Sequence, residues 1–164
     1  MRGEMIMQDR EGHYKFEEAF IKYSDMVTRI SILNLRNSAD AKDCFQNVFI
    51  KLYQYQNTFE SEEHLKAWLI RVTINECKNF QKLFYKRTID IDDVIVCQHQ
   101  EQLILLPSVL KLPRKYKNVL YLHYYEGYKT FEIAEMLNMN ENTVKSHLKR
   151  GRELLKKEVG DYYE

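Results

Sequence analysis

Six cationic side chains, among them Lys145, Lys149, Arg150, Arg152 and Lys156, lie within the stretch NENTVKSHLKRGRELLKK. They fall largely off the face on which Val144, Leu148, Gly151, Leu155 and Val159 recur at helical spacing. A helix that is apolar on one side and cationic on the other serves as a plain surface helix, a membrane-surface helix or a reader of DNA. A membrane-surface helix wants Trp, Phe or several Leu on its apolar side, where this one has Gly151. Other chemistry-bearing residues do not assemble. Cys44, Cys77 and Cys97 are an odd, sparse set without a CxxC, which argues against a disulfide framework and a zinc site. Cys97 and His99 form an isolated C-x-H pair, too few ligands for a tetrahedral metal. His13, His64, His99, His123 and His147 are scattered, and no P-loop or nucleophile–base constellation occurs. The sequence therefore assigns no catalytic residue, no metal and no cofactor, and an enzyme is not expected.

The elements that must position the basic stripe are read from charge and periodicity. The net charge of +1 hides strong segregation. Residues 1–64 carry 8 Lys/Arg against 11 Asp/Glu, residues 65–88 carry 6 against 1, residues 89–106 carry 0 against 4, and residues 107–160 carry 11 against 6. Two basic blocks separated by an acidic stretch predict two anion-binding surfaces and a connector. Phe16, Phe20, Tyr23, Val27, Ile30 and Leu33 predict a helix over 14–36. RNSAD breaks it, and Asp40 is the expected N-cap of a second helix lined by Phe45, Val48, Phe49, Leu52 and Tyr53. After the polar loop NTFESEEH, the residues Leu65, Trp68, Leu69, Val72 and Phe80 predict a third helix running to about Arg87. TIDIDDVIVCQHQ has the character of a linker. No run approaches the ~18 apolar residues that cross a bilayer, and the N-terminus lacks the apolar core of a secretory signal. A cytoplasmic protein without direct membrane insertion is expected.

Both prolines lie in 107–113, where a short helix precedes a break. Pro113 suits the first position of the next helix, through Val119, Leu120 and Leu122, and Gly127 fits just past its end. In TFEIAEMLNMNENTVKSHLKRGREL, Thr130 is the expected cap of a helix carrying Ile133, Ala134 and Leu137. Asn138 suits a left-handed stop, Met139 plugs the turn, and Asn140 caps a second helix that buries Val144 and Leu148. Two short amphipathic helices, a tight turn and a small residue at the crossing predict a helix-turn-helix. Its second helix would present Asn142, Lys145, Ser146 and Lys149 to the major groove, with Arg150 and Arg152 placed for phosphates. Each lysine has an alternative as part of an ordinary solvated face.

LPRKYKNVLYLHYYEGYKTFEIAEMLNMNENTVKSHLKRGRELLKK resembles the C-terminal promoter-binding domain of bacterial sigma factors of the extracytoplasmic-function type. DAKDCFQNVFIKLYQ and HLKAWLIRVTINECKNFQKLFYKR resemble that family's N-terminal core domain. The resemblance runs from about Phe16 to Val159. It implies an all-α chain of two small helical domains, 10–88 and 107–160, joined by an acidic linker at 89–106. It further implies a subunit that binds core RNA polymerase, recognises promoter DNA and melts it. Asp40, Asp43, Gln46 and Asn47 would contact the polymerase clamp, with Asn47 where the family usually has Glu. Arg71, Asn75, Lys78 and Lys82, with Trp68, would face the melted minus-ten element, and the loop at about 57–64 would hold a flipped-out base. The net +5 block lies there, as a cationic single-strand groove requires.

Several residues keep two readings. Trp68 is a core anchor or a stacking surface; Asn75 is a buried amide or a base contact. Asp90, Asp92 and Asp93 mimic phosphate inside the polymerase or form a solvated loop. His147 stands where the family usually has Arg and Gly151 where it usually has Ala. The first puts a DNA contact in doubt, and the second costs about 1 kcal/mol of helix propensity relative to Ala. The family also implies an anti-sigma partner of the membrane-tethered kind. The alternative is a free-standing helix-turn-helix regulator, which would bind DNA without polymerase.

Overall fold

The computed structural model describes residues 16–35, 37–83 and 106–160. The all-α expectation holds: among the described residues every regular element is helical. The chain divides into two compact units, 1–95 and 96–164. Asp90, Asp92, Asp93, Cys97 and His99 lie outside the described residues.

The first unit is three mutually packed helices, α1 (Phe16–Asn34), α2 (Ser38–Tyr53) and α3 (Glu62–Leu83). Val27, Ile30, Val48, Leu52, Leu65, Leu69 and Ile70 are fully buried between them. Buried Ser31 and Thr73 satisfy their hydroxyls on their own helices, donating to the carbonyls of Val27 (2.8 Å) and Leu69 (2.6 Å). The thiols of Cys44 and Cys77 meet in this core with their sulfurs 3.5 Å apart. Buried Glu76 of α3 pairs with Lys51 of α2. The Tyr23 hydroxyl donates to Glu62 (2.9 Å), tying α1 to the start of α3.

Two expectations here are corrected. Asp40 is not the cap of α2. That helix starts earlier, and Asn37 caps it, accepting from the backbone N–H of Ala39 (2.7 Å) and of Asp40 (3.4 Å). The break after α1 is tighter than RNSAD suggested, so the nearest Asx residue takes the cap. The second correction concerns the polar loop NTFESEEH, whose last three residues already belong to α3, which starts at Glu62. The loop's Phe59 is buried, stacked on Tyr55 (4.7 Å) and edge-on to Trp68 (5.6 Å). The expected end of α3 at Arg87 lies outside the described residues.

The second unit contains α4 (Leu106–Lys111), α5 (Arg114–Leu120), a π-helical turn (Tyr121–Tyr125), α6 (Thr130–Leu137) and α7 (Glu141–Gly160). Val119, Leu122, Ile133 and Val144 are its fully buried centre. Pro113 sits one residue before the expected position, as the extended N-cap of α5 (φ −55°, ψ 141°). Its carbonyl accepts from Tyr116 and Lys117, and its missing N–H removes a donor the helix start could not satisfy. The five-residue π turn is marked by the Glu126 N–H bonding to Tyr121 O (3.1 Å). Gly127, at φ 79°, then reverses the chain, as an L side chain would resist.

Candidate nucleic-acid interface

α6 and α7 make the helix-turn-helix, and its turn is built as the residue types demand. Asn138 adopts the left-handed conformation (φ 52°, ψ 55°), which its short side chain tolerates. The Met139 N–H returns to Ala134 O (2.9 Å), and Met139 is half-buried in the turn. Asn140 caps α7, its side chain accepting from the Asn142 N–H (2.8 Å). Thr130, expected to cap α6, does not. Lys129 occupies the cap position, and Glu132 reaches back to accept from the Lys129 N–H (2.7 Å). The Thr130 hydroxyl is left to cross to α7, where it donates to Glu141 Oε1 (2.7 Å).

Asn142, Lys145, Ser146, Lys149, Arg150 and Arg152 are all exposed, opposite buried Val144, Leu148 and Gly151. At 100° per residue, Asn142, Ser146 and Lys149 form the centre of the exposed face. Lys145 and Arg152 lie on one flank and Arg150 on the other. Lys145 Nζ is 3.0 Å from Glu141, Arg150 pairs with Glu153 (3.6 Å), and Arg152 donates to the Tyr124 hydroxyl (2.8 Å) at the π turn. The Thr130 hydroxyl and then Lys145 hold the Glu141 carboxyl below its ordinary pKa. Glu141 and Tyr124 were not singled out from the sequence. The i,i+4 spacing of Glu141 and Lys145 was a legible signal, whereas Thr130, 11 residues from Glu141, and Arg152, 28 residues from Tyr124, lie beyond any helical spacing.

His147 points away from this face. It is half-buried and edge-on to Tyr116 of α5 (5.5 Å). Among the described residues its Nδ1 is buried without a hydrogen-bond partner. Burial, reinforced by Lys115, lowers its pKa. Gly151 also differs from its expected meaning. A Cβ there would lie 2.9 Å from Leu120 Cδ1 and 3.3 Å from Tyr116 Cβ, so the missing side chain lets α5 and α7 approach. The helix-propensity cost is set against close packing.

In the first unit, Arg71, Asn75, Lys78 and Lys82 fall on one stripe of α3. Arg71, Asn75 and Lys82 are exposed and Lys78 is half-buried. The buried-amide reading of Asn75 is thereby excluded. Trp68, half-buried, packs on Tyr55 (4.9 Å) and Phe59, so it anchors the loop before α3 while keeping part of its surface accessible. That loop ends in a cap absent from the sequence reading: Ser61 accepts from the His64 N–H (3.0 Å), and His64 Nδ1 accepts from the Glu60 N–H (3.2 Å). The S-x-x-H spacing was its signal. On α2, Asp43 and Gln46 are exposed, and Asp40 and Asn47 are half-exposed, on the outer side of the helix. Among the described residues no group of three or more His, Cys, Asp or Glu gathers as metal ligands, and no helix is long and apolar enough to cross a membrane.

The models of sigma-70 region 2 and sigma-70 region 4 match residues 20–83 and 103–155. The ECF RNA polymerase sigma factor SigW of Bacillus subtilis is 28% identical over 160 residues, covering 85% of this chain and 86% of its own. The RNA polymerase sigma-E factor of Streptomyces coelicolor is 29% identical, covering 88% and 86%. A crystal structure of the sigma factor RpoE with the anti-sigma factor NepR from Bartonella quintana shares the fold, with TM-score 0.71 and 19% identity over 88% of this chain and 96% of that one. The chain belongs to the sigma-70 family, as a sigma factor of the extracytoplasmic-function type.

Proposed function

We propose that this chain is an initiation factor without enzymatic activity, acting in the cytoplasm, that binds core RNA polymerase, directs it to promoters and opens the DNA. The observation that carries this reading is the occurrence, in one chain, of region 2 and region 4 matches with an exposed basic helix face in each. We assign residues 10–88 to polymerase and minus-ten binding, 89–106 to an acidic linker, and 107–160 to minus-35 binding. Asp40, Asp43, Gln46 and Asn47 dock on the polymerase clamp. Arg71, Asn75, Lys78 and Lys82 hold the melted minus-ten strand, where a cationic groove beside aromatic rings suits unstacked bases. Lys145, with Asn142, Ser146 and Lys149, reads base edges of the minus-35 duplex; Arg150 and Arg152 grip its backbone. The solved RpoE–NepR complex supports an anti-sigma partner here also, membrane-tethered in the form the family implies.

The test is reconstitution. The full chain should co-purify with core polymerase and confer initiation at a defined subset of a genomic promoter library. Tight duplex binding alone, with no association with core polymerase, would instead establish a free-standing regulator.

A further inference from the structure

Glu141 is the first residue of α7, at the edge of the face assigned to DNA. One of its oxygens, Oε1, meets two partners on different elements: the Thr130 hydroxyl at the start of α6 (2.7 Å) and the Lys145 ammonium one turn along α7 (3.0 Å). The side chain is 42% exposed, so solvent does not require this arrangement. A carboxylate beside a DNA backbone opposes binding to any sequence, because affinity for duplex comes largely from neutralised phosphates. Its presence needs a compensating role.

Lys145 supplies one. A lysine ammonium is a point charge on a flexible stem, and pairs with a phosphate as readily as with a base edge. Tethered to Glu141, it is ordered before DNA arrives, and the nearby negative charge disfavours phosphate at that spot. Thr130 fixes the tether itself, because its hydroxyl holds Glu141 from the other helix of the motif.

We infer that Glu141 is a positioning and specificity-determining residue, which, anchored by Thr130, aims Lys145 at base edges and suppresses sequence-independent binding. This rests on the reading of Lys145 as a base contact. The experiment uses holoenzyme reconstituted from the full chain and core polymerase. Preferred minus-35 sequences are selected from a randomised library, and affinity is measured against salt on the selected promoter and on one with a scrambled minus-35. Glu141→Gln keeps an acceptor for Thr130 but removes the charge. It should lower discrimination at the Lys145-dependent position by about five-fold or more, the lower end of what one good base contact contributes. It should also raise affinity for the scrambled promoter and steepen its salt slope by up to about one unit. Thr130→Val should lose discrimination partially and Thr130→Ser should restore it. In a Lys145→Ala background, Glu141→Gln should change the consensus no further.

The outcomes separate. A Glu141→Gln holoenzyme with parental discrimination and unchanged scrambled-site affinity overturns the positioning role. A consensus change that persists without Lys145 overturns it too, and makes Glu141 a direct reader. If Lys145→Ala alone leaves the consensus unchanged, the base-contact assignment of Lys145 fails, and the inference falls with it.

Discussion

His147 contributes to the domain as a packing residue against Tyr116, and its charge state follows from that. Its folded pKa lies below the ordinary 6.5, first through burial and then through Lys115. The unfolded chain therefore takes up the proton before the folded one does as pH falls. Stability from this group is fully present above the unfolded value, and is lost as pH drops through it toward the depressed folded value. The melting temperature of the second unit should fall as the pH is lowered through the ordinary histidine value of 6.5. His147→Phe, which keeps an aromatic edge against Tyr116, should flatten that dependence; a parental slope in the variant would show that other groups cause it. Arg150 is proposed to grip phosphate. It lies across the exposed face from Lys145, so Arg150→Ala should weaken all promoters alike and reduce the salt slope by about one unit. A shifted minus-35 consensus would move it into the base-reading set.

At the scale of elements, α7 and α5 are joined where Gly151 admits Leu120 and Tyr116. Gly151→Val should cost about 1–3 kcal/mol through overpacking, seen as a lower melting temperature of the second unit. Gly151→Ala should cost less, because about 1 kcal/mol of recovered helix propensity opposes the crowding. A Val variant as stable as the parent would mean α5 yields freely there. On α3 the cationic stripe and the buried side are separable. Leu69 and Ile70 hold the core, while Lys78 and Lys82 lie on the opposite stripe. Replacing both lysines with Ala should impair open-complex formation and leave polymerase binding intact. Unchanged permanganate reactivity of the minus-ten thymines would remove those lysines from strand separation.

For the whole molecule, the consequence of two units is independent damage. Each buries its own centre, around Leu69 in one and Val144 in the other. Leu69→Ala should cost about 2–5 kcal/mol in the first unit and leave the unfolding of the second in place. Gly151→Val should do the converse. Differential scanning calorimetry on the full chain checks this, and a single transition moved equally by both variants would contradict it.

Periodicity along the chain was enough for the helices. Each has to bury an apolar stripe, and Val27–Ile30, Val48–Leu52, Leu65–Leu69 and Val144–Leu148 declare theirs through spacing alone. The helix-turn-helix was legible because its turn depends on local chemistry: Asn138 tolerates the left-handed conformation and Asn140 caps the next helix. The exposed cations of α7 followed from the same helical geometry, while the set on α3 came from the family resemblance. Caps were less certain wherever neighbouring residues compete. Asn37 displaced Asp40, and Lys129 with Glu132 displaced Thr130, since a shift of one to three residues in a helix start changes which oxygen can reach an N–H. Only the tertiary structure decided the rest. Glu141 meeting Thr130, Tyr124 meeting Arg152, the paired thiols of Cys44 and Cys77, and Gly151 set against Leu120 join residues whose separation along the chain carries no period. Such contacts arise when helices pack, and packing depends on the shapes of both partners at once.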